Sequence, residues 1–238
     1  MEGLIRILEL NKIYNTNAIE FMKSMILNGT QVDLLVTDPP YKVISGGGRD
    51  GAHSKRPKGV LARHDGKLFD NTDIKISDWM QLVYDCLKDN SHAYIFTNAL
   101  NLNEMLNEAL KVGFKLHNIL VWEKNNCTPS QFYMKNCEYI LFLRKGKAKW
   151  INDIGGSKTV HQFNNIIGHK LHPTEKPVDL LKFYIANSSK ENDVVFDPFA
   201  GSGSTGVAAL ELHRRFLGCE LDTTYCKIAE KRISDAMK

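Results

Sequence analysis

An α/β fold, with a mostly parallel sheet and helices on both faces, follows from three features of the 238-residue chain. Short apolar runs alternate with helical patterns over most of its length. Several of those runs end abruptly in polar or proline-rich turns, and one such turn is rich in glycine and opens directly into a helical segment. A chain of this length accommodates one sizeable core, so a single domain over residues 1–238 is expected, carrying a basic loop at 42–67 and a short insert at 145–171.

Taken in order, Asn17 to Leu27 has apolar residues at Ile19, Met22 and Ile26, the spacing of one helix face. Val32 to Val36 is a compact apolar run, read as a buried strand that ends at Asp38. Ser77 to Leu87 reads as a helix capped by Ser77, His92 to Phe96 as a strand, and Asn101 to Val112 as a helix stopped by Gly113. Strands follow at Leu116 to Trp122 and Tyr139 to Leu143. Pro177 suits the first turn of a helix running to Asn187. Val194 to Phe196 is a short strand entering the glycine-rich turn, followed by a helix from Ser204 to Leu212, a strand from Arg215 to Cys219 and a last helix from Thr224. The stretches 42–67, with six glycines, and 145–172 fit neither pattern. Trp79, Trp122 and Phe132 are expected in the core.

Composition excludes several classes. The chain is 43% hydrophobic and 24% charged, and no apolar run reaches the roughly 18 residues of a membrane span. Met1 to Leu10 mixes Glu2, Arg6 and Glu9 among its apolar residues, unlike a secretory signal, so a cytoplasmic location and no membrane partner are expected. Cys86, Cys127, Cys137, Cys219 and Cys226 form no CxxC pair, which argues against a disulfide framework or a zinc ribbon. None of them follows a proline, so the Pro-Cys nucleophile of cytosine C5 methylation is missing. The eight histidines show no HExxH spacing, and no metal is expected. The net charge of +4 is unevenly spread. Residues 42–67 carry seven Lys/Arg against two acids, residues 144–176 the same, and the remainder is acidic by six charges. Two basic segments on an acidic body point to a polyanionic partner.

Two motifs carry chemistry. Asp38, Pro39, Pro40 and Tyr41 follow an apolar strand directly, at the carboxyl end where open α/β sheets bind ligands. An exocyclic amine is a poor nucleophile because its lone pair is delocalised into the ring. Accepting its N–H bonds with the Asp38 carboxylate and the Pro39 carbonyl would draw the nitrogen toward tetrahedral geometry. The proline pair would fix that carbonyl, and Tyr41 would stack on an extruded base. The second motif runs from Phe196 through Asp197, Pro198, Phe199, Ala200, Gly201, Ser202, Gly203, Ser204 and Thr205 to Gly206. Its GxGxxG lets backbone approach a ligand at a helix N-terminus. Glu220, fourteen residues beyond Gly206, ends the next strand, where a carboxylate can accept from both ribose hydroxyls. The same glycines suit a dinucleotide, so an NAD-type oxidoreductase is the competing reading. Only 32 residues follow Gly206, too few for the strands a dinucleotide fold adds beyond this unit, and no lysine follows the glycines as a P-loop requires.

With both motifs in this order, the chain resembles the beta group of DNA amino-methyltransferases, in which the catalytic motif precedes the cofactor motif. The resemblance covers most of the chain and implies a Rossmann-like methyltransferase fold with S-adenosylmethionine as cofactor. It implies double-stranded DNA as partner and a site-specific enzyme acting on adenine N6; cytosine N4, and beyond it RNA or protein amines, remain the alternatives, as does a DNA-binding module that has lost catalysis. By resemblance, Asp38, Pro39, Pro40 and Tyr41 are catalytic, and the cofactor is held by Asp38, Asp197, Phe199, Ala200, Gly201, Ser202, Gly203, Ser204, Thr205 and Glu220. His172, Thr174 and Lys176 of the His172-to-Pro177 segment flank the methionine end, where Thr174 and Lys176 offer donors to its carboxylate. Asn17 sits where an aspartate usually meets the cofactor adenine. Lys42, Arg49, Lys55, Arg56, Lys58 and Arg63 are the expected DNA contacts. The insert before His172, about 28 residues, is short for a target-recognition segment. Base readout would then fall partly to the 42–67 loop or to a second copy of the chain, and a homodimer and a cognate restriction endonuclease are the further partners that the resemblance allows for.

Overall fold

The computed structural model describes residues 8–40, 74–128, 133–168, 170–172 and 174–238. Tyr41, Phe132, Pro173 and the whole basic loop, with Lys42, Arg49, Lys55, Arg56, Lys58 and Arg63, lie outside the described residues. The described elements are β1 (Lys12–Asn15), α1 (Ala18–Leu27), β2 (Val32–Thr37), α2 (Ile76–Cys86), β3 (Leu87–Thr97), α3 (Leu102–Lys111), β4 (Lys115–Thr128), β5 (Lys135–Arg144), β6 (Val160–Gln162), α4 (Val178–Ser188), β7 (Val194–Asp197), α5 (Ser204–Glu211), β8 (Arg215–Glu220) and α6 (Thr223–Ala236). The eight strands form one sheet in the order β1-β8-β7-β2-β3-β5-β4-β6. Only β5 is reversed, pairing antiparallel with β3 and β4, while the other described pairings are parallel.

Local chemistry explains the boundaries. Asn17 caps α1, its Oδ1 accepting from the Ile19 N–H at 2.8 Å and the Glu20 N–H at 3.4 Å. Helix α2 starts one residue before the expected cap. Its N-terminus is closed by Asp78, whose Oδ2 accepts from the Lys75 N–H at 3.0 Å, so Ser77 lies inside the first turn. Gly113 ends α3 region with φ +108, and Pro177 is the N-cap of α4 rather than its first residue. Strands β3, β4 and β5 are longer than their apolar runs, because cross-strand hydrogen bonding continues through the polar ends. The strand β1 had no apolar run to announce it; it forms by parallel pairing with β8. Strand β6, inside the insert, likewise forms by pairing with β4.

The two faces of the sheet bury separate cores. Leu35, Ala93, Ile95 and Leu141 pack under α1, α2 and α3 with Trp79 and Met80, while Leu34, Val36, Tyr94, Phe96, Trp122 and Ile140 pack under α4, α5 and α6 with Leu181, Tyr184 and Ile233. Trp79 and Trp122 are both core residues, and Cys86, Cys219 and Cys226 are buried free thiols. No helix among the described residues is long and apolar enough to cross a membrane.

A buried polar thread in the second core carries a pH consequence. His92 donates from Nε2 to the Lys149 carbonyl (3.2 Å), so its Nδ1 accepts from the Ser188 hydroxyl (2.8 Å), which in turn accepts from the Tyr94 hydroxyl (2.7 Å). Burial, followed by the neighbouring His117, lowers the His92 pKa from 6.5 to about 4. The unfolded chain therefore binds this proton first, and stability falls as pH drops from 6.5 through about 4. Thermal melts at pH 7.5 and 4.5 should show His92→Gln, which can keep both hydrogen bonds, losing less stability than wild type by about 2 kcal/mol. Equal losses would count against it.

Candidate active site

Strand direction and side-chain parity together assemble the site. The carboxyl ends of β2, β3, β7 and β8 reach one edge of the sheet, and the reversed β5 brings its beginning there too. Leu34 and Val36 face the core under α4, so the period of two carries Asp38 to the same side. Phe96 of β3, Glu138 of β5, two residues before Ile140, and Lys124 of β4, two beyond Trp122, share that face. Lys176 approaches from the turn before α4. Its ammonium pairs with Asp38 Oδ2, lies 3.3 Å from Glu138 Oε2 and sits 5.3 Å from the centre of the Phe96 ring. Glu138 Oε1 pairs in turn with Lys124, whose ammonium lies over the Trp122 ring.

These four charges are largely withdrawn from solvent, with Lys176 7% exposed. Burial alone would raise the Glu138 carboxyl, but the Lys176 and Lys124 ammoniums beside it hold it below its ordinary value. Burial would lower the Lys176 proton affinity, but the Asp38 and Glu138 carboxylates keep it raised. Both groups are therefore charged at neutral pH. The sequence reading has Lys176 offering a donor to a ligand carboxylate. Its ammonium is committed to Asp38 and Glu138, with the Thr174 carbonyl at 3.3 Å.

The glycine-rich turn stands beside this row. Asp197, 3% exposed at the end of β7, accepts at Oδ1 from the Thr37 hydroxyl (2.7 Å) and the Phe199 N–H (3.1 Å), and at Oδ2 from the Thr205 hydroxyl (2.7 Å). Burial pushes its carboxyl up to about 6 against the pull of those bonds. Both oxygens serve the protein, so Asp197 shapes the turn. Gly201 has φ +53, and its N–H donates to Glu220 Oε2 at 2.9 Å. Glu220 Oε1 accepts from the Asp222 N–H at 2.8 Å, and burial raises this carboxyl. Gly203 has φ +83, and a Cβ there would meet the Ala229 Cβ of α6 at 2.8 Å. Close approach of a helix is thus a reason for this glycine beside the expected approach of a ligand. Phe199 packs edge-on against Trp79, and Ala200, Ser202, Ser204 and Thr205 are buried.

A second ionic cluster ties the 171–176 turn to α6. Arg232 Nη1 donates to Glu175 Oε1 (2.9 Å), to the Ser202 carbonyl (2.9 Å) and to the Ser202 hydroxyl (3.0 Å), and the Leu171 N–H donates to Glu175 Oε2 (2.8 Å). His172 packs its ring edge-on against Tyr225, with centroids 4.3 Å apart, and would touch a Cβ on Gly201 at 3.5 Å. Its Nδ1 accepts from the Thr174 hydroxyl at 3.1 Å. Burial, reinforced by Lys176, lowers its pKa to about 4, so the ring is neutral.

The DNA methylase family model, N6_N4_Mtase, matches residues 32–231, which span β2 through most of α6. The chain belongs to this family. Type II methyltransferase M2.DpnII of Streptococcus pneumoniae is 29% identical over 243 residues, covering 93% of this chain and 88% of that protein. Type II methyltransferase M2.MboI of Moraxella bovis is 28% identical over 256 residues, covering 92% and 86%. Among solved structures, the M1.HpyAVI–SAM complex superposes with a TM-score of 0.74 at 26% identity, covering 93% of this chain and 98% of that one. The Rossmann-like fold expected from the sequence is therefore that of a DNA methylase.

Of the residues singled out in the sequence, Asp38, Lys176, Asp197, Gly201, Glu220, His172 and Thr174 gather at one sheet edge. Asn17 lies at the start of α1, after β1, which pairs with β8 and places Asn15 opposite Glu220. Its carbonyl is engaged in the helix cap. Sequence reading missed Glu138, Lys124, Arg232 and Thr37. Parity counted back from Ile140 and forward from Trp122 would have found the first two once the reversal of β5 was known. Arg232 gave no signal, because a basic residue on a terminal helix is ordinary.

Proposed function

We propose that this DNA methylase transfers the methyl group of S-adenosylmethionine to N6 of adenine in double-stranded DNA. The observation that carries the reading is the joint attachment of the two motifs: Asp197 of the glycine turn is hydrogen-bonded both to Thr37, which precedes Asp38, and to Thr205 on α5. The donor set fits the cofactor. Gly201 and the half-buried Glu220 carboxylate stand side by side at the end of β8, a place suited to a ribose, and the complex of M1.HpyAVI with SAM has the same fold. When bound, S-adenosylmethionine supplies an electrophilic methyl group. Asp38 and the Pro39 carbonyl accept the N–H bonds of the target amine and orient its lone pair, Pro40 stiffens the turn, and Tyr41 stacks on the extruded base. Catalysis of this kind needs position and hydrogen bonds, and no covalent bond to the enzyme.

An aspartate at position 38 favours adenine; the family also holds cytosine N4 enzymes. Sequencing of modified bases in DNA exposed to the protein and S-adenosylmethionine decides between them and yields the recognition site. N4-methylcytosine, or methylation of RNA or protein instead, would overturn the assignment. The names of the relatives support a place in restriction–modification beside a cognate endonuclease, and the short insert supports base readout completed by a second copy of the chain.

The basic loop is proposed to clamp DNA phosphates. If about three of its cations make such contacts, neutralising Arg49, Lys55, Arg56 and Lys58 should flatten the slope of log affinity against log salt by about 2–3 units. Cofactor affinity should stay unchanged. An unaltered slope in DNA titrations would transfer the role to residues 144–176.

A further inference from the structure

The position of Lys176 raises a difficulty for any substrate of Asp38. A carboxylate oxygen held by an ammonium makes a charge-assisted bond, roughly twice as strong as the neutral bond that a base amine can offer in exchange. The pair is also buried, where an abandoned ammonium has no water to turn to. Lys176 must therefore have somewhere to go when the amine arrives. Glu138 Oε2, 3.3 Å away on the same face of the sheet, is that place.

We infer that Glu138 is a positioning residue that draws the Lys176 ammonium off Asp38 as the target base enters, with Lys124 holding Glu138 in place. The inference rests on the reading of Asp38 as the acceptor of the target amine. Four charges alternate across the face in the order Lys124, Glu138, Lys176, Asp38, so a small movement of the Lys176 head from one carboxylate to the next leaves the sum unchanged. Phe96 lies under the ammonium at 5.3 Å and gives it a π-face during the passage. The other ionisable groups acting on this row are Asp197, on the far side of Asp38, and Lys170, Glu175 and His172 on the turn that carries Lys176. Lys170 adds positive charge near both Lys176 and Glu138, and burial followed by the Lys176 and Lys124 ammoniums lowers its own proton affinity.

The test uses the full chain, labelled S-adenosylmethionine and unmethylated plasmid DNA, with Glu138→Gln, Lys176→Met and the double variant. Glu138→Gln should bind S-adenosylmethionine within twofold of wild type and lose about tenfold or more in kcat. The acidic limb of its pH profile should stay or move down, because Asp38 keeps its cation and loses a negative neighbour. Lys176→Met should move that limb up, because Asp38 loses its counter-ion. The double variant should be no slower than Lys176→Met, since without the ammonium Glu138 has nothing to draw away. Wild-type kcat in Glu138→Gln, an upward limb in that variant, losses that multiply in the double variant, or a fall in cofactor affinity or folded fraction that accounts for the whole loss would each overturn the inference. A wild-type protein that methylates no DNA would refute the proposed function instead.

Discussion

Replacing Asp38 by alanine is expected to reduce methyl transfer by roughly a thousandfold while leaving substantial binding of S-adenosylmethionine. The carboxylate stands at the end of β2, separated from the glycine turn by Thr37, and the contacts that shape that turn run through Asp197 and Glu220 rather than through Asp38. The cofactor side should therefore survive the change. The variant also strips Lys176 of one partner, but Glu138 remains within 3.3 Å to compensate the buried ammonium. Labelled-methyl transfer to DNA and cofactor calorimetry on the same preparation provide the check. Near wild-type turnover would remove Asp38 from the chemistry, whereas loss of cofactor binding would show that its work is structural.

Gly203→Val is expected to be the most damaging change in the glycine turn, and chiefly through packing. At φ +83 a β-branched residue is strained, and its Cβ would sit 2.8 Å from the Cβ and 3.0 Å from the Cα of Ala229. Helix α6 cannot move away cheaply, because Arg232 bonds Ser202 and Glu175 one turn further on. Strain and overpacking of this kind add to about 3 kcal/mol or more, a fall in Tm of roughly 6–12 °C for a chain of this size. Cofactor binding should fall with it, because the turn must distort to accept the side chain. Introducing Ala229→Gly beside it should restore part of the Tm by removing the clash, although the backbone strain persists. A Tm within 2 °C of wild type in Gly203→Val would refute the packing argument.

How much of this was legible beforehand depended on whether the signal was local. The apolar runs at Val32 to Val36 and Val194 to Phe196 announced the central strands, because buried parallel strands are apolar on both faces. The turn motifs announced the sheet edge at which Asp38, Gly201 and Glu220 meet. Strands β1 and β6 were invisible, since edge strands of four and three residues form only when a neighbour offers its hydrogen bonds. The helix cap at Lys75 was misplaced because Asp78 reaches back to close it, and a serine one position inside the helix looked equally suitable. The partners of Lys176 lay beyond reach for a different reason: Glu138 precedes it by 38 positions and Asp38 by 138, and only the reversal of β5 makes them neighbours. Gly203 was recognised as necessary for a ligand, but its contact with α6 was not foreseen, for a glycine that admits a helix and one that admits a ligand read alike in sequence.

The Asp197 carboxylate has a bearing on how this chain can drift over evolutionary time. Its two oxygens are divided between Thr37 and Phe199 on one side and Thr205 on the other, so one residue of β2 and two of the glycine-rich segment depend on a single carboxylate. Losing the hydroxyl at 37 or at 205 alone leaves a buried oxygen under-satisfied, and losing the carboxylate alone strands two hydroxyls in the core. Relatives that alter one of these positions should therefore alter the others in step, and the spacing between the methyl donor and its acceptor is inherited as a unit rather than residue by residue.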